Sequence, residues 1–266
     1  MLEGIFLFQD SSLVVPEGTT DSGIMDGLPA GVVQENFGQV PLETIPGLDG
    51  KSCISAALLE PSAVLPPGWG TVPLRVSLHN MADKDTRFSP AVFCILRAYH
   101  ILQWKKDTAF CGRCGSPNEN SKQDISRVCG NCGKITFPRI SPAVIVLITD
   151  SQNRILLAQN KHFRNQVYSL VAGFVEAGES LEETVAREVK EETNIDIGSI
   201  RYITSQPWPF PDSIMLGFRA KYLRGELKPD GEEIIDVRWF DRDSLPNIPG
   251  PGAIARLLID QWMDEK

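Results

Sequence analysis

Three observations predict an α+β fold in three parts. Two C-x2-C knuckles stand fourteen residues apart, β-branched strands begin directly after them, and a capped, acid-rich helix lies among those strands. The expected parts are a small α+β N-terminal domain over 1–105, a four-cysteine ribbon over 106–138 and a mixed-sheet domain covered by helices over 139–266.

Composition narrows the function before any motif is read. With 266 residues and 42% hydrophobic content the chain can bury a sizeable core. A net charge of −8 argues against a general nucleic-acid or membrane binder, because both need a basic surface. It leaves room for a phosphorylated substrate whose charge is met by metal. The first ten residues lack a basic n-region and no run approaches 18 apolar residues, so neither a signal peptide nor a membrane span is expected, and the default compartment is cytoplasmic.

Residues 1–88 carry little chemistry. Apolar stretches at 4–8, 52–59 and 74–78 read as short strands, and 27–31 and 66–70 read as loops from their turn residues. Cys53 and Cys94 sit in apolar surroundings and are expected to be buried thiols. A helix is expected from Pro90 to Trp104, capped by Ser89, with Val92, Leu96, Tyr99 and Gln103 at i+3 and i+4 steps.

The knuckles, Cys111–Cys114 and Cys129–Cys132, each turn two sulfurs toward one point, and four thiolates complete a closed tetrahedral zinc site. Disulfides and redox pairs compete with this reading. The absence of a secretion signal and the duplicated knuckle favour one structural Zn²⁺ per chain with no open coordination position.

Strands are expected at 143–149, buried on both faces, then at 154–159 as the return of a hairpin, and at 167–172, 200–205, 214–223 and 234–240, with a closing helix over 249–264. Between them, Ser180 and Glu183 form a capping box, the helix runs from Leu181 to about Thr193, and Asn194 tolerates the left-handed conformation that ends it. At roughly 100° per residue, Glu188, Glu191 and Glu192 point one way and border the stripe of Val185 and Val189. A solvated acidic face partnered by Arg187 and Lys190 is one explanation. The other is capture of a hard divalent cation, Mg²⁺ or Mn²⁺, which relieves like-charge crowding at i, i+3 and i+4.

Residues 205–213 read S-Q-P-W-P-F-P-D-S, with Gln206, Trp208 and Phe210 alternating with Pro207, Pro209 and Pro211. Alternate prolines are expected to block ladder pairing and stiffen an extended segment. Trp208 and Phe210 are then either presented for ring stacking or plugged into the core.

Gly173, Glu179, Arg187, Glu188, Val189, Glu191, Glu192 and Ile195 match the pattern G-x5-E-x7-R-E-U-x-E-E-x-G-U, with Asn194 in place of its last glycine. This resembles the Nudix box, and with the cysteine ribbon and the 205–213 motif the chain resembles the NADH pyrophosphatase group of that superfamily over roughly 106–266. The resemblance implies an α/β/α sandwich and hydrolysis of NADH or NAD⁺ to nicotinamide mononucleotide and AMP, extending to NAD caps on RNA 5′ ends. ADP-ribose or diadenosine polyphosphate is the alternative substrate. It also implies Mg²⁺ or Mn²⁺ ligation by the carbonyl of Ala172 and by Glu188, Glu192 and Glu233. Glu191 would hold further metal or orient water, and Arg187 would orient the glutamates. Phe174 would face the nicotinamide, with Trp208 supplied by the other subunit of a homodimer. Gln206, Pro207, Pro209, Phe210, Pro211, Asp212, Ser213 and Ala255 would line the pocket, with Phe137 where the family usually has tyrosine.

Overall fold

The computed structural model describes residues 4–47, 53–75, 77, 90–162 and 166–265. Its compact units are two: one from the described residues of Met1–Met81, Phe88–Ile140 and Pro209–Asp212, the other from those of Ser141–Trp208 and Ser213–Lys266.

The first unit holds a five-stranded sheet and the ribbon. Strands β1 (Ile5–Gln9), β2 (Ser12–Pro16), β3 (Glu43–Pro46), β4 (Cys53–Leu59) and β5 (Trp69–Pro73) lie in the order β3-β4-β1-β2-β5. Helices α1 (Asp21–Asp26), α2 (Ala30–Phe37) and α3 (Pro90–Asp107) complete it. Pro29 leads directly into α2, so the proline-glycine stretch expected to be a loop is half a helix start. Leu74, Arg75 and Ser77 are helical where a strand was expected, while Leu78 and Ser89, the expected cap of the helix starting at Pro90, lie outside the described residues. Neither lone cysteine is a buried thiol: Cys53 is exposed and Cys94 half-buried. Cys53 is the first residue of β4 and pairs with Pro46 of the edge strand β3, at the very end of that ladder. The ribbon is a three-stranded sheet of β6 (Asn118–Asn120), β7 (Arg127–Cys129) and β8 (Ile135–Thr136).

The second unit is built on β9 (Ser141–Thr149), whose residues alternate between two cores. Val144, Val146 and Ile148 face a cluster with Val185 and Val189; Ile145 and Leu147 face one with Leu258, Ile259 and Trp262. One cluster belongs to helix α4 (Leu181–Thr193), the other to helix α5 (Ile254–Asp264), so the sheet lies between two helices. Strands β10 (Ile155–Asn160), β11 (Tyr168–Ser169), β12 (Val171–Phe174), β13 (Asp196–Trp208), β14 (Ser213–Arg224) and β15 (Ile234–Phe240) complete a mixed sheet. The expected β9–β10 hairpin reduces to one pair, Ile155↔Thr149. Both sides of β9 are taken, by antiparallel β12 and parallel β14, so β10 pairs with β15. Among the described residues no helix is long and apolar enough to cross a membrane.

Candidate active site

Sequence fixes where α4 begins and ends. Ser180 Oγ accepts from the Glu183 N–H at 3.3 Å while Glu183 Oε2 accepts from the Ser180 N–H at 2.8 Å, satisfying two otherwise orphaned donors. Asn194 closes the helix at φ 63°, so asparagine supplies the left-handed turn in place of glycine, and its Nδ2 donates to the Glu226 carbonyl at 3.0 Å. Val185 and Val189, both fully buried, seat the helix on the sheet. That rotation leaves Glu191 exposed, Glu188 half-buried and Glu192 only 6% exposed.

Arg187 holds this acidic surface together. Its Nε and Nη2 donate to the two oxygens of Glu179 at 2.5 and 3.0 Å, a bidentate pair. Nη1 donates to Glu188 at 2.9 Å and Glu191 at 3.1 Å, and Nη2 also reaches the Phe174 carbonyl at 3.0 Å. Hydrogen bonds from Arg187, foremost, and from the Glu176 N–H and Thr184 hydroxyl hold the Glu179 carboxyl down at about 2. Every donor edge of the guanidinium is thus engaged by the protein.

Glu192 has no such support. Among the described residues no donor is hydrogen-bonded to its carboxylate. Burial first, then the charges of Glu233, Glu188, Asp230 and Glu191, push its pKa up to about 8. Burial likewise raises Glu188, against the pull of Arg187. A desolvated carboxylate ringed by like charge needs a proton or a cation, and an all-oxygen set suits a hard divalent ion. Glu233, in the loop before β15, adds its charge to this group, although among the described residues the four ribbon cysteines are the one set whose ligand atoms already lie close enough together to hold an ion. Asp230 Oδ1 accepts the N–H groups of Glu232, Glu233 and Ile234 at 2.8–3.1 Å, and Asn160 donates to Glu233 Oε1 at 2.8 Å. The anchoring roles of Glu179, Asp230 and Asn160 were not read from the sequence; only the Asp230-Gly231 turn dipeptide hinted at one.

Beside the acids, β12 carries Ala172, Gly173 and Phe174 in register with Ile145, Val144 and Ala143. Phe174 is 53% exposed. The 205–213 motif is a paired hairpin and not an unpaired strut: Gln206, Pro207 and Trp208 face Met215, Ile214 and Ser213 across the β13–β14 ladder. The proline at 207 is accommodated within the pairing, and the remaining two occupy the turn 209–212. Gln206 is buried, its Nε2 donating to the Gly252 carbonyl at 2.8 Å and its Oε1 accepting from the Ile254 N–H at 3.0 Å. It therefore caps α5, whose second residue is the buried Ala255. Trp208 is half-buried and Ser213 buried. In the first unit, Phe210 lies 5.7 Å from the Tyr99 ring with the Arg75 guanidinium 5.0 Å from its face, and Asp212 pairs with Arg139 at 2.9 Å. Phe210 is thus packed against Tyr99 and Arg75. Pro209 is buried, Pro211 exposed, and Phe137, after β8, is 61% exposed.

The four ribbon sulfurs all lie within 4.8 Å of one another. Cys111 and Cys132 are 3.6 Å apart and Cys114 and Cys129 3.4 Å, too far for disulfides and close enough for one tetrahedral ion. Gly115 and Gly133, at φ 74° and 69°, close the knuckles by donating to the Cys111 and Cys129 carbonyls. Hydrogen bonds from Ser116, backbone first, hold the Cys114 thiol down at about 6, favouring the thiolate that zinc needs. The arrangement fits structural Zn²⁺.

Comparison with known proteins agrees with this geometry. Residues 139–261 match the family model described as NUDIX domain, and 106–137 match the NADH pyrophosphatase zinc ribbon domain. A protein of Pseudomonas aeruginosa named NAD-capped RNA hydrolase NudC is 43% identical over 199 residues, 74% of this chain and 68% of that protein. One of the same name from Vibrio vulnificus is 49% identical over 188 residues, covering 71% and 72%. The crystal structure of a NUDIX hydrolase from Nitrosomonas europaea superposes with TM-score 0.52 at 26% identity, over 60% of this chain and 92% of that one. The chain belongs to the Nudix hydrolases, in the group that carries the NADH pyrophosphatase zinc ribbon.

Proposed function

We propose that the protein hydrolyses the pyrophosphate bond of NADH and NAD⁺, giving nicotinamide mononucleotide (in its reduced form from NADH) and AMP, and removes the same group from NAD-capped RNA 5′ ends. The observation that carries this reading is Glu192, buried, without a hydrogen-bond partner among the described residues and in the field of four other acids. The names of the Pseudomonas and Vibrio relatives and of the ribbon family support the choice of substrate.

Glu188, Glu192, Glu233 and the Ala172 carbonyl would hold Mg²⁺ or Mn²⁺. When bound, such a cation neutralises phosphate charge that would repel a nucleophile and makes water a stronger acid. Arg187 keeps Glu188 and Glu191 in place through the Glu179 clamp. Glu191, the exposed member, orients the attacking water or holds a further ion, and a glutamate takes the proton the water loses. The water oxygen adds to one phosphorus, the bridging P–O bond breaks, and a nucleoside monophosphate leaves. Phe174 offers a free ring face for the nicotinamide, worth about 1–3 kcal/mol if stacked, and Trp208 of a second subunit would close the other side. Residues 206–213 and Ala255 shape the pocket, Gln206 through the helix it caps. The division into parts at 1–105, 106–138 and 139–266 belongs to the same reading, with the two family matches as its support.

The test is product analysis with NADH, NAD⁺, NAD-capped RNA and ADP-ribose in Mg²⁺ or Mn²⁺. Reduced nicotinamide mononucleotide plus AMP is expected from NADH, with the highest kcat/KM, and Glu192→Gln should abolish turnover. A clear preference for ADP-ribose, or full activity in Glu192→Gln, would defeat the proposal.

A further inference from the structure

A cavity of about 420 Å³ opens in the second unit at the C-terminal end of β9, lined by Thr149, Ser199, Arg201, Arg219, Lys221 and Glu265 among others. The acids described above cluster around β12, which pairs with the opposite end of β9, Ala143–Val146. Phe218 and Ala220 face the core shared with α4, so Arg219 and Lys221 face the other side of the sheet, beyond the C-terminal end of α5. Arg201 is the direct antiparallel partner of Arg219, two guanidiniums opposed across the ladder. Such like-charge pairs are destabilising. A register shift between Gly198 and Arg201, with Ser199 at φ 52°, sets this pairing, and bulges of this kind redirect side chains.

The cations here are under-satisfied. Arg201 makes no hydrogen bond or ion pair among the described residues, the Arg219 Nε is buried without a partner, and Lys221 gives one bond, to Thr149 Oγ1 at 2.8 Å. Among the described residues lining the cavity the one anion is Glu265, whose carboxylate pairs with Arg219 and whose carbonyl accepts from Arg242. Three cations against one carboxylate, in a chain whose net charge is −8, is a local excess of positive charge.

We propose that this cavity is a binding site for a tetrahedral phosphate group, free or carried by a nucleoside monophosphate, with Glu265 as the internal carboxylate it displaces. Two guanidiniums and an ammonium offer the planar forks and point charge that phosphate oxygens take. Arg219 exchanges its carboxylate partner for phosphate, Arg201 gains its first partner, and the anion screens the opposed pair. The site stands apart from the acidic cluster, so its fate and that of the proposed hydrolysis are separable.

The experiment titrates the full-length protein with inorganic phosphate and separately with AMP, at constant ionic strength and without divalent cations. Amide chemical shifts locate the ligand, and calorimetry gives the affinity. Shifts at Ser199, Arg201 and 219–221 are expected. Arg201→Ala, an exposed position, should weaken binding about ten-fold, the effect of one charge-assisted hydrogen bond. Glu265→Gln should tighten binding by removing the competing carboxylate. AMP binding more tightly than phosphate assigns the site to a nucleotide, and equal affinity assigns it to free phosphate. If Arg201→Ala and Glu265→Gln leave affinity unchanged, or the shifts fall only around Glu188 and Glu192, the proposal is overturned.

Discussion

The carboxylate of Glu188 occupies the space that a side chain on Gly173 would need. A Cβ placed on Gly173 would stand 1.9 Å from Glu188 Cδ and 2.0 Å from Oε1. Gly173 is not a positive-φ residue, so its role is close approach and not backbone freedom. Strand β12 and helix α4 are thereby drawn together until the Glu188 carboxylate rests on the backbone between Ala172 and Phe174.

Gly173→Ala should therefore fold and yet lose activity. The obstructing atoms belong to the end of a flexible side chain, so Glu188 can swing aside at small cost in stability. A displacement of about 1 Å at a catalytic group costs about 100-fold, and a loss of that order in kcat is expected with Tm nearly unchanged. Thermal melts beside steady-state kinetics decide it, and a large fall in Tm with kcat intact would show that the close approach serves packing alone.

How much of this was legible in the sequence follows residue type. The capping box at Ser180 and Glu183, the Asn194 turn and the two knuckles are local, each settled by a few neighbouring side chains, and each could be read from spacing. The α/β/α sandwich came from the resemblance; the strand pattern was only compatible with it. What could not be read is what depends on partners distant in the chain. The β10 strand was assigned to β9 because a turn joins them, yet tertiary pairing gives it to β15, nearly eighty residues on. The 205–213 prolines suggested an unpaired segment, and the partner strand starting at Ser213 was too close for that reading to notice. Gln206 looked like a substrate contact, and its bonds to Gly252 and Ile254, 46 and 48 residues away, leave no signal in the motif.

Acid–base behaviour of the metal-free protein should show two opposing limbs. The Glu192 carboxyl is raised from its ordinary 4.5 to about 8 by burial and neighbouring acids. A folded-state pKa above the unfolded one means the folded protein binds more protons between the two, so stability is fully present below about 4.5 and is lost as pH rises through about 8. Glu188 is raised in the same sense. Glu179, held at about 2, acts oppositely: its contribution is present above its unfolded value and is lost as pH falls through about 2. Urea denaturation at pH 6 and 9 should show a loss on the order of a few kcal/mol in wild type, much reduced in Glu192→Gln. Mn²⁺ should abolish the alkaline limb. An alkaline loss of equal size in both proteins would remove Glu192 as its source.

Zinc should be present at one equivalent per chain and should behave as a folding element. Displacing it with a thiol-directed mercurial should release one Zn²⁺, read with a metallochromic dye, and melt the ribbon, because β6, β7 and β8 are too short to stand without the tetrahedral tie. Elemental analysis of gently purified protein without zinc would refute the assignment.

Gln206 tests whether the hairpin motif acts by touch or by position. Its amide is consumed inside the protein, one end on the Gly252 carbonyl and the other on the first N–H of α5. Ala253, at the cap position, provides no side-chain acceptor, so Gln206 is the cap of that helix from another strand. Gln206→Ala would leave a buried donor and a buried acceptor unpaired, at about 1–3 kcal/mol each, lowering Tm by roughly 5–20 °C for a unit of this size. Gln206→Glu keeps the acceptor for Ile254 but loses the donor and sets a carboxylate against the Gly252 carbonyl, so it should not rescue. A residue that merely contacts substrate would instead raise KM and leave Tm where it was, and the two outcomes separate cleanly in one set of melts and kinetics.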